Sequence, residues 1–243
     1  MTTKVISNKP IWVNSFDFSA SLHEVAISYA ADEKECTTLA DGTHIFKNGL
    51  KSAGMAMNGY WDETTTNPVD SQNFTKTGAN SVCTFAAETG AEGEIAYFMN
   101  ALQNQYSLTG AVGEMFAFTV DANAAGSLVR GTIELKQAAL AATGNSTGRQ
   151  LGALSATQTM WAAIHCTAIG AGAQTFDAIV QSDDNGSFTS ATSRIVFTQL
   201  TAIGSELKSV VGAVTDDYWR VNYTITGATP AFTVVVVLGI LNT

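Results

Sequence analysis

The residues that could perform chemistry in this chain fall into a few short segments, and none carries a complete pattern. Residues 183–186 read Asp-Asp-Asn-Gly and have the oxygen density of a calcium-binding loop. They lack the later bidentate glutamate of an EF-hand, so a hairpin turn is the favoured interpretation. Residues 144–148 read Gly-Asn-Ser-Thr-Gly, the G-x-S-x-G form of a hydrolase nucleophile. No apolar strand precedes them and no patterned helix follows, so a loop is expected there.

Carboxylates, histidines and cysteines give no stronger signal. Glu92 and Glu94 could form a glycosidase pair, but two carboxylates in the first turn of a predicted helix usually serve its dipole. The histidines are His23, His44 and His165, and the cysteines are Cys36, Cys83 and Cys166. They lie far apart, without the spacing of metal ligands or of a disulfide framework. We therefore expect no catalytic residue, no cofactor, no metal site and no enzymatic activity.

Two strand patterns near the start of the chain flank a long polar segment. Residues 22–29 and 53–61 alternate apolar and polar side chains, which indicates two strands. Residues 31–49 between them are polar, and a connection of that length inside a compact domain usually has a binding role. We therefore expect an exposed loop over residues 31–49.

The next part of the chain predicts one helix and two further strands. Over residues 92–106, apolar side chains recur at helical spacing, which predicts a helix packed on a sheet. Residues 114–135 alternate again around an Asn/Gly-rich centre, which predicts a strand, a turn and a strand.

Several short elements follow one another in order along residues 5–135. They are Asn14, Asp17, Ser19 and Ser21, the pair Thr37-Thr38, Asp41-Gly42, Phe46-x-x-Gly49-Leu50 and Gly59-Tyr60-Trp61-Asp62. In this order the chain resembles the major tail tube proteins of long-tailed bacteriophages. The resemblance implies a β-barrel or sandwich with one flanking helix, in subunits that stack as rings into a hollow tube.

The second half of the chain is predicted to be a separate β-domain. Residues 139–150 are rich in Ala, Gly, Ser and Thr and are expected to be a linker. After them come six strand patterns separated by short Gly- and Asp-containing turns, which is typical of an antiparallel β-sandwich. The expected fold class is therefore mainly β: a tail-tube-like domain over residues 1–138 and a β-sandwich over residues 151–243. The sandwich weakly resembles modules of phage structural proteins and is expected to decorate the outside.

Charge and hydropathy set the outer limits of function. The chain has a net charge of −9. Residues 1–140 carry 8 Lys/Arg against 15 Asp/Glu, which accounts for seven of the nine excess negative charges. This sign argues against nucleic-acid binding through phosphate contacts. It suits a channel through which DNA slides, although charge alone favours the alternative that the negative charge serves solubility. The apolar run near the C-terminus is too short for a membrane span, and the N-terminus shows no secretory signal. Synthesis in the host cytoplasm and a final place in the virion tail are expected.

The tail tube resemblance predicts a homo-oligomer of stacked rings that contacts other tail proteins and conducts DNA without binding it specifically. The rings would be hexameric, or trimeric if the two domains are duplicates. The candidate contact residues between subunits or rings are Trp12, Thr37, Thr38, Asp41, Phe46 and Leu50. The alternative is a two-domain binding module for carbohydrate or a host surface, which would use the aromatic residues Trp161, Tyr218, Trp219 and Phe232. Alternating strands more often bury such side chains in a core.

Overall fold

The chain divides into two compact units that are interleaved along the sequence. The computed structural model describes residues 9–63 and 68–242, so the N-terminal segment in which no secretory signal is visible lies mostly outside the described residues. The larger unit comprises the chain up to Ala20, Val82–Met99 and the chain from Val129 onward, and the smaller unit comprises Ser21–Ser81 and Asn100–Leu128. This division differs from the sequential domains 1–138 and 151–243 that the sequence predicts.

Sixteen strands and one helix make up the described part of the chain. In chain order they are β1 (Ile11–Val13), β2 (Phe16–Asp17), β3 (Leu22–Glu35), β4 (Phe46–Tyr60), α1 (Val69–Lys76), β5 (Asn80–Ala86), β6 (Ile95–Thr109), β7 (Ala117–Ala124), β8 (Val129–Leu140), β9 (Gly144–Asn145), β10 (Arg149–Gln150), β11 (Gln158–Ile169), β12 (Gln174–Asp183), β13 (Thr192–Val196), β14 (Gly204–Val211), β15 (Tyr218–Gly227) and β16 (Phe232–Asn242). The predicted fold class, mainly β with one helix, is confirmed.

The larger unit is built from two antiparallel sheets. One has the order β14-β11-β16-β8-β6-β5-β1-β2, and the other has the order β10-β15-β12-β13 with β9 also paired to β15. Buried side chains of β11 and β16 form one core with those of β12 and β15, including Ile164, Val236, Phe176 and Trp219. All six strands predicted after residue 151 are present, and they form both layers of this core.

The apolar run of β16 is buried on both faces of its sheet. Val234 and Val236 belong to the core between the two sheets, whereas Val235 and Val237 pack with Trp12 on the opposite face. Successive side chains of a strand point to opposite faces, so a continuous valine run is what a doubly covered strand requires. The second cluster also contains residues of β5, β6 and β8.

His165 joins β11 to the two short strands at the start of the chain. Its Nδ1 lies 2.6 Å from the carbonyl oxygen of Asn14, and its Nε2 lies 2.7 Å from Thr84 Oγ1. A carbonyl oxygen only accepts, so Nδ1–H donates to Asn14 and Nε2 accepts from the Thr84 hydroxyl. Asn14 itself has a left-handed backbone (φ 52°). Its N–H donates to the carbonyl oxygen of Val82 at 2.7 Å, and its Oδ1 accepts the Val82 N–H at 3.0 Å. The buried imidazole therefore ties three segments of the larger unit together.

Residues 139–150, predicted to be a linker, instead run along β15. β9 and β10 both pair with β15. The Ser146 N–H donates to the carbonyl oxygen of Val221 at 2.8 Å, and the Ser146 Oγ accepts the Val221 N–H at 2.9 Å. The hydroxyl of Ser146 in the G-x-S-x-G segment is thus buried and hydrogen-bonded to a neighbouring strand. It is not the exposed nucleophile of a strand-to-helix turn.

A buried ion pair fastens the same segment to β8. Arg149 Nε lies 3.3 Å from Glu134 Oε2, and the Glu134 side chain is fully buried. Burial raises the pKa of Glu134 to about 7, while the hydrogen bond from Thr132 and the charge of Arg149 oppose that shift.

The smaller unit is one antiparallel sheet with a helix on one face. Its strand order is β3-β4-β7-β6, and α1 lies against β6. Tyr106 OH donates to Asp70 Oδ1 at 2.6 Å, and Gln103 Nε2 donates to the carbonyl oxygen of Asn73 at 2.7 Å. Because Gln103 and Tyr106 face the same side as the buried Val120 and Ala122, α1 covers the apolar face of the sheet.

The predicted helix over residues 92–106 is wrong, because this segment is the strand β6. Its buried positions alternate, but the alternation slips where Phe98 and Met99 are buried in succession. This slip spaces the apolar side chains as a helix would. Glu94 is not at a helix terminus either: its carboxylate accepts the N–H groups of Thr89 and Ala91 and closes the preceding turn.

Candidate interaction surfaces

The residues that suggested calcium or metal chemistry serve structural roles. The segment 184–191 connects the paired strands β12 and β13, as the hairpin interpretation predicts. Asp183 Oδ2 accepts the Ser190 N–H at 2.8 Å, and Asn185 Oδ1 accepts the Ser187 N–H at 3.0 Å. Within residues 9–63 and 68–242, no three His, Cys, Asp or Glu side chains gather in a way that could hold a metal ion.

One face of the smaller sheet is left uncovered by α1, and we call it the open face. Its residues alternate with the buried ones and follow from the strand registers. They are Glu24, Ala26, Ser28 and Ala30 on β3, Gly54, Ala56 and Asn58 on β4, Thr119, Asp121 and Asn123 on β7, and Leu102, Gln105 and Ser107 on β6. A shallow groove of about 460 Å³ runs over this face.

The open face carries small, neutral and acidic side chains, with Leu102 as its large apolar member. Its two charged residues, Glu24 and Asp121, are both acidic. Four lysines fall within the smaller unit, and they are placed elsewhere: three lie beyond the four-stranded part of the sheet and one lies on α1. The open face therefore presents no cationic side chain.

The strands β3 and β4 project beyond the rest of the sheet as a two-stranded ribbon. β4 pairs with β7 only from Gly54 to Tyr60, whereas β3 and β4 continue to pair as far as Glu35 and Phe46. The predicted loop over residues 31–49 is therefore shorter than expected, because both strands extend into it and leave a loop of residues 36–45. The extension escaped sequence analysis because both faces of the ribbon are solvated and show no apolar alternation.

The ribbon loop is held by its own hydrogen bonds. The Thr38 N–H and hydroxyl both donate to Asp41 Oδ2, at 2.7 and 2.9 Å. Thr37 Oγ1 donates to Glu35 Oε1 at 2.7 Å and accepts the Ile45 N–H at 3.0 Å. The bonds from Thr38 lower the pKa of Asp41. Thr37, Thr38 and Asp41, predicted as contacts to a neighbour, thus bond within the loop and fix its shape.

The apolar candidates on the ribbon are exposed, as an interaction surface requires. Phe46 is 56% exposed and Leu50 is 84% exposed. Leu39, which the sequence analysis did not single out, is fully exposed at the loop tip. It could have been found as one of two large apolar residues, with Ile45, in a loop that is otherwise mainly polar. These three residues form what we call the ribbon tip.

Trp12 does not belong to this surface, contrary to the prediction. It is only 2% exposed and packs within the larger unit beside His165, with ring centroids 6.4 Å apart. Lys136 Nζ lies 5.5 Å from the centre of its ring. A side chain buried in its own core is not available to a neighbouring subunit.

The aromatic residues of the binding-module alternative are also mainly in a core. Trp219 and Phe232 are fully buried between the two sheets of the larger unit, and Trp161 and Tyr218 are partly buried. Trp219 Nε1 donates to the carbonyl oxygen of Gly152 at 2.8 Å. These side chains therefore do not form an aromatic binding platform.

Comparisons with known proteins give structural likenesses only. No protein-family model and no curated protein matches the sequence. Among solved structures, a chain of the virion of a native gene transfer agent particle matches 52% of this chain and 97% of its own length, with 16% identity and a TM-score of 0.41. The SPP1 Dit protein, described as a paradigm of the hub adsorption apparatus in phages of Gram-positive hosts, matches 96% of this chain and 99% of its own, with 10% identity and a TM-score of 0.39.

A chain of the anti-feeding prophage baseplate matches 54% of this chain and 97% of its own, with 9% identity and a TM-score of 0.42. TM-scores and identities this low do not support an argument about function.

In the part of the chain that the structure describes, no helix is long and apolar enough to span a membrane.

Proposed function

We propose that this chain is a structural, non-enzymatic subunit of a phage-type tail and that it polymerises into the tail tube. The observation that carries the proposal is the smaller sheet, which has one face covered by α1, one open face without lysine or arginine, and a ribbon that projects from its end. A tube wall needs these three features: an outer support, an inner surface that does not bind phosphate, and an element that reaches a neighbour.

The open face would line the conduit. Its charged side chains are Glu24 and Asp121, and the lysines of the smaller unit lie elsewhere. Each cation on a conduit wall would release counterions from passing DNA and so retard it. The surface charge of the open face is therefore suited to transport without binding.

The ribbon would join subunits. The outer edge of β3 has no partner strand among the described residues, and before Gly54 the same is true of the edge of β4 that faces away from β3. Long unpaired edges invite pairing with another chain, and a closed ring of subunits removes them. The ribbon tip then reaches the next ring, with Leu39, Phe46 and Leu50 as apolar anchors.

A loop replacement tests this proposal. Replacing residues 36–45 by Asn-Gly keeps β3 and β4 joined by a two-residue hairpin turn and removes Leu39. We expect the variant to be folded and as stable as the natural chain, because the loop adds little to the core, but unable to form tubes. Electron microscopy and sedimentation of both proteins provide the measurement. Tubes of normal length from the variant would contradict the role of the ribbon, and a natural chain that stays monomeric at high concentration would contradict the proposal itself.

Lysines on the open face test the conduit. Ser28 and Asn123 are exposed on this face, and Thr224 on β15 is an exposed control in the larger unit. Particles that carry Ser28→Lys and Asn123→Lys should assemble but release DNA more slowly, and the effect should weaken as salt rises. Thr224→Lys should leave the release rate unchanged. An equal effect from all three lysines would contradict the assignment of the open face.

A further inference from the structure

Three asparagines of this chain are followed by glycine, namely Asn48, Asn58 and Asn185. The structure places the first two in the strand β4 and the third in the connection between β12 and β13. We propose that Asn185 is a site of spontaneous deamidation, at which the fold directs cyclisation onto the Gly186 nitrogen and so alters the hairpin loop with time. This inference does not depend on the proposed function, since it concerns the larger unit alone.

The hydrogen bonds of Asn185 fix the orientation of its side-chain amide. Its Oδ1 accepts the N–H of Ser187 at 3.0 Å and also accepts the Ser187 hydroxyl. Its Nδ2 donates to Asp184 Oδ1 at 2.7 Å and to Asp183 Oδ1 at 3.2 Å. Because a backbone N–H only donates and an ionised carboxylate only accepts, the amide cannot be reversed. The side-chain carbonyl oxygen is therefore the atom that the two Ser187 donors polarise.

These donors face the oxygen on which negative charge develops during cyclisation. When the Gly186 nitrogen attacks Cγ of Asn185, the side-chain carbonyl oxygen becomes an oxyanion, and donors that are already in place stabilise it. The bond from the Ser187 N–H to Asn185 Oδ1 closes a ring that contains both reacting groups. The arrangement therefore favours the attack in the folded chain.

Gly186 is accessible for this reaction. It is exposed, and it carries no Cβ to hinder the approach of its nitrogen to Asn185. Its N–H makes no hydrogen bond among the residues that the structure describes, so no bond has to break before the attack.

The reaction consumes water and releases ammonia. The Gly186 nitrogen gives its proton to solvent and forms a bond to Cγ of Asn185. The Cγ–Nδ2 bond then breaks as Nδ2 takes up a proton and leaves as ammonia. Water opens the resulting succinimide ring at either of its carbonyl carbons. The products are aspartate or isoaspartate at position 185, and neither an oxidant nor a cofactor takes part.

The same dipeptide in β4 is held in a different geometry. Gly59 pairs with Leu22 on one side and with Phe118 on the other, so the peptide that joins it to Asn58 lies inside the sheet. Cyclisation there would have to pull this peptide out of both strand pairings. Asn48 lies in the ribbon, where β4 has a single neighbouring strand, and is an intermediate case. The chain therefore contains two internal controls with the same reacting atoms.

Deamidation would weaken the loop that it modifies. The new carboxylate adds a negative charge beside Asp183 and Asp184 and removes both donations from Nδ2. The same loop buries Phe188, whose ring centre lies 4.3 Å from the guanidinium carbon of Arg220. Isoaspartate also lengthens the backbone between β12 and β13. We expect both products to loosen the packing of Phe188.

Ageing the full chain both folded and in urea separates the effect of the fold from that of the dipeptide. Peptide mapping by mass spectrometry follows each site, and enzymatic methylation detects isoaspartate. In urea Asn48, Asn58 and Asn185 should react at similar rates. In the folded chain Asn185 should react at least as fast as it does in urea, and roughly tenfold or more faster than Asn58. Protection of Asn185 by folding to the same extent as Asn58 would overturn the proposal.

Two serine variants test the polarising donor. Ser187→Ala removes the hydroxyl that donates to Asn185 Oδ1, so deamidation at Asn185 should slow several-fold in the folded chain and stay unchanged in urea. Ser190→Ala is the matched control, because the Ser190 hydroxyl belongs to the same loop but contacts Asp183 instead. An unchanged rate in Ser187→Ala, or an equal fall in both variants, would contradict the role of the Ser187 hydroxyl.

Asn185→Asp imitates one product and tests the consequence for the loop. It should lower the melting temperature of the larger unit by about 3 °C. Asn48→Asp adds the same charge on the ribbon and should leave that melting temperature unchanged. Equal melting temperatures for the two variants would show that deamidation does not loosen the hairpin loop.

Discussion

Replacing His165 by asparagine should remove a buried titration that makes the larger unit sensitive to acid. His165 is fully buried, donates from Nδ1 to Asn14 and accepts at Nε2 from Thr84. An asparagine amide at this position can keep the donation toward Asn14 but takes up no proton. The variant will be less stable than the natural chain because it leaves space beside Thr84, and that loss does not depend on pH.

The pH dependence can be worked out from the two states of the imidazole. Burial lowers the pKa of His165 from 6.5 to about 4 in the folded protein. Below about pH 6.5 the imidazole of His165 is therefore protonated in the unfolded chain, whereas in the folded chain it becomes protonated only near pH 4. The stabilisation is fully present above the unfolded pKa and is lost as the pH falls through this window. Between pH 7 and pH 5 the loss is about 2 kcal/mol.

Urea unfolding of both proteins at pH 7, 6 and 5 measures this effect. Other titrating groups contribute equally to the two proteins, so the difference in unfolding free energy isolates His165. The advantage of the natural chain should shrink by about 2 kcal/mol from pH 7 to pH 5. A difference that stays constant over this range would show that His165 is not held neutral in the fold.

Three further predictions concern the larger unit. Because burial raises the pKa of Glu134 to about 7, its protonated form contributes stability below pH 4.5 that is lost as the pH rises toward 7. Relative to Glu134→Gln, the natural chain should lose about 2 kcal/mol between pH 5 and pH 7, measured by urea unfolding. Residues 1–140 expressed alone should keep the smaller unit, which lies wholly within them, but lose the larger one, since truncation removes β16 from both of its clusters. Amide hydrogen exchange should be fast in β1 and β8, and protection there would support sequential domains. Gly131→Ala should cost about 3 kcal/mol, because a Cβ there would lie 1.9 Å from the Leu238 carbonyl oxygen. Gly126→Ala, with open space around it, is the matched control, and equal melting temperatures for the two variants would contradict the close approach.

Local patterns predicted most strands of this fold, because each strand's periodicity is a property of neighbouring residues. The six strands after residue 151 and the hairpin of β3 and β4 follow from alternation and turn residues alone. β6 was missed since the consecutive burial of Phe98 and Met99 shifts its alternation midway. β6 belongs to the larger unit up to Met99 and to the smaller unit from Asn100 onward. No pattern among neighbouring residues indicates that the strand passes from one unit to the other.

Interactions distant in sequence could not be predicted in this way. The burial of Trp12 depends on His165 and Val235, which are more than 150 and 200 residues away. The sequence predicts a loop where the ribbon lies, because a strand that is solvated on both faces shows no alternation of apolar and polar residues.

The radial position of the smaller sheet in an assembled tube tests the central claim most directly. Ser28 lies on the open face, whereas Phe74 lies on α1, which covers the opposite face. Cryo-electron microscopy of tubes formed by the purified chain should place Ser28 at the lumen and Phe74 away from it. A tube with Phe74 toward the lumen and Ser28 on the outside, or a chain that remains a monomer, would contradict the account.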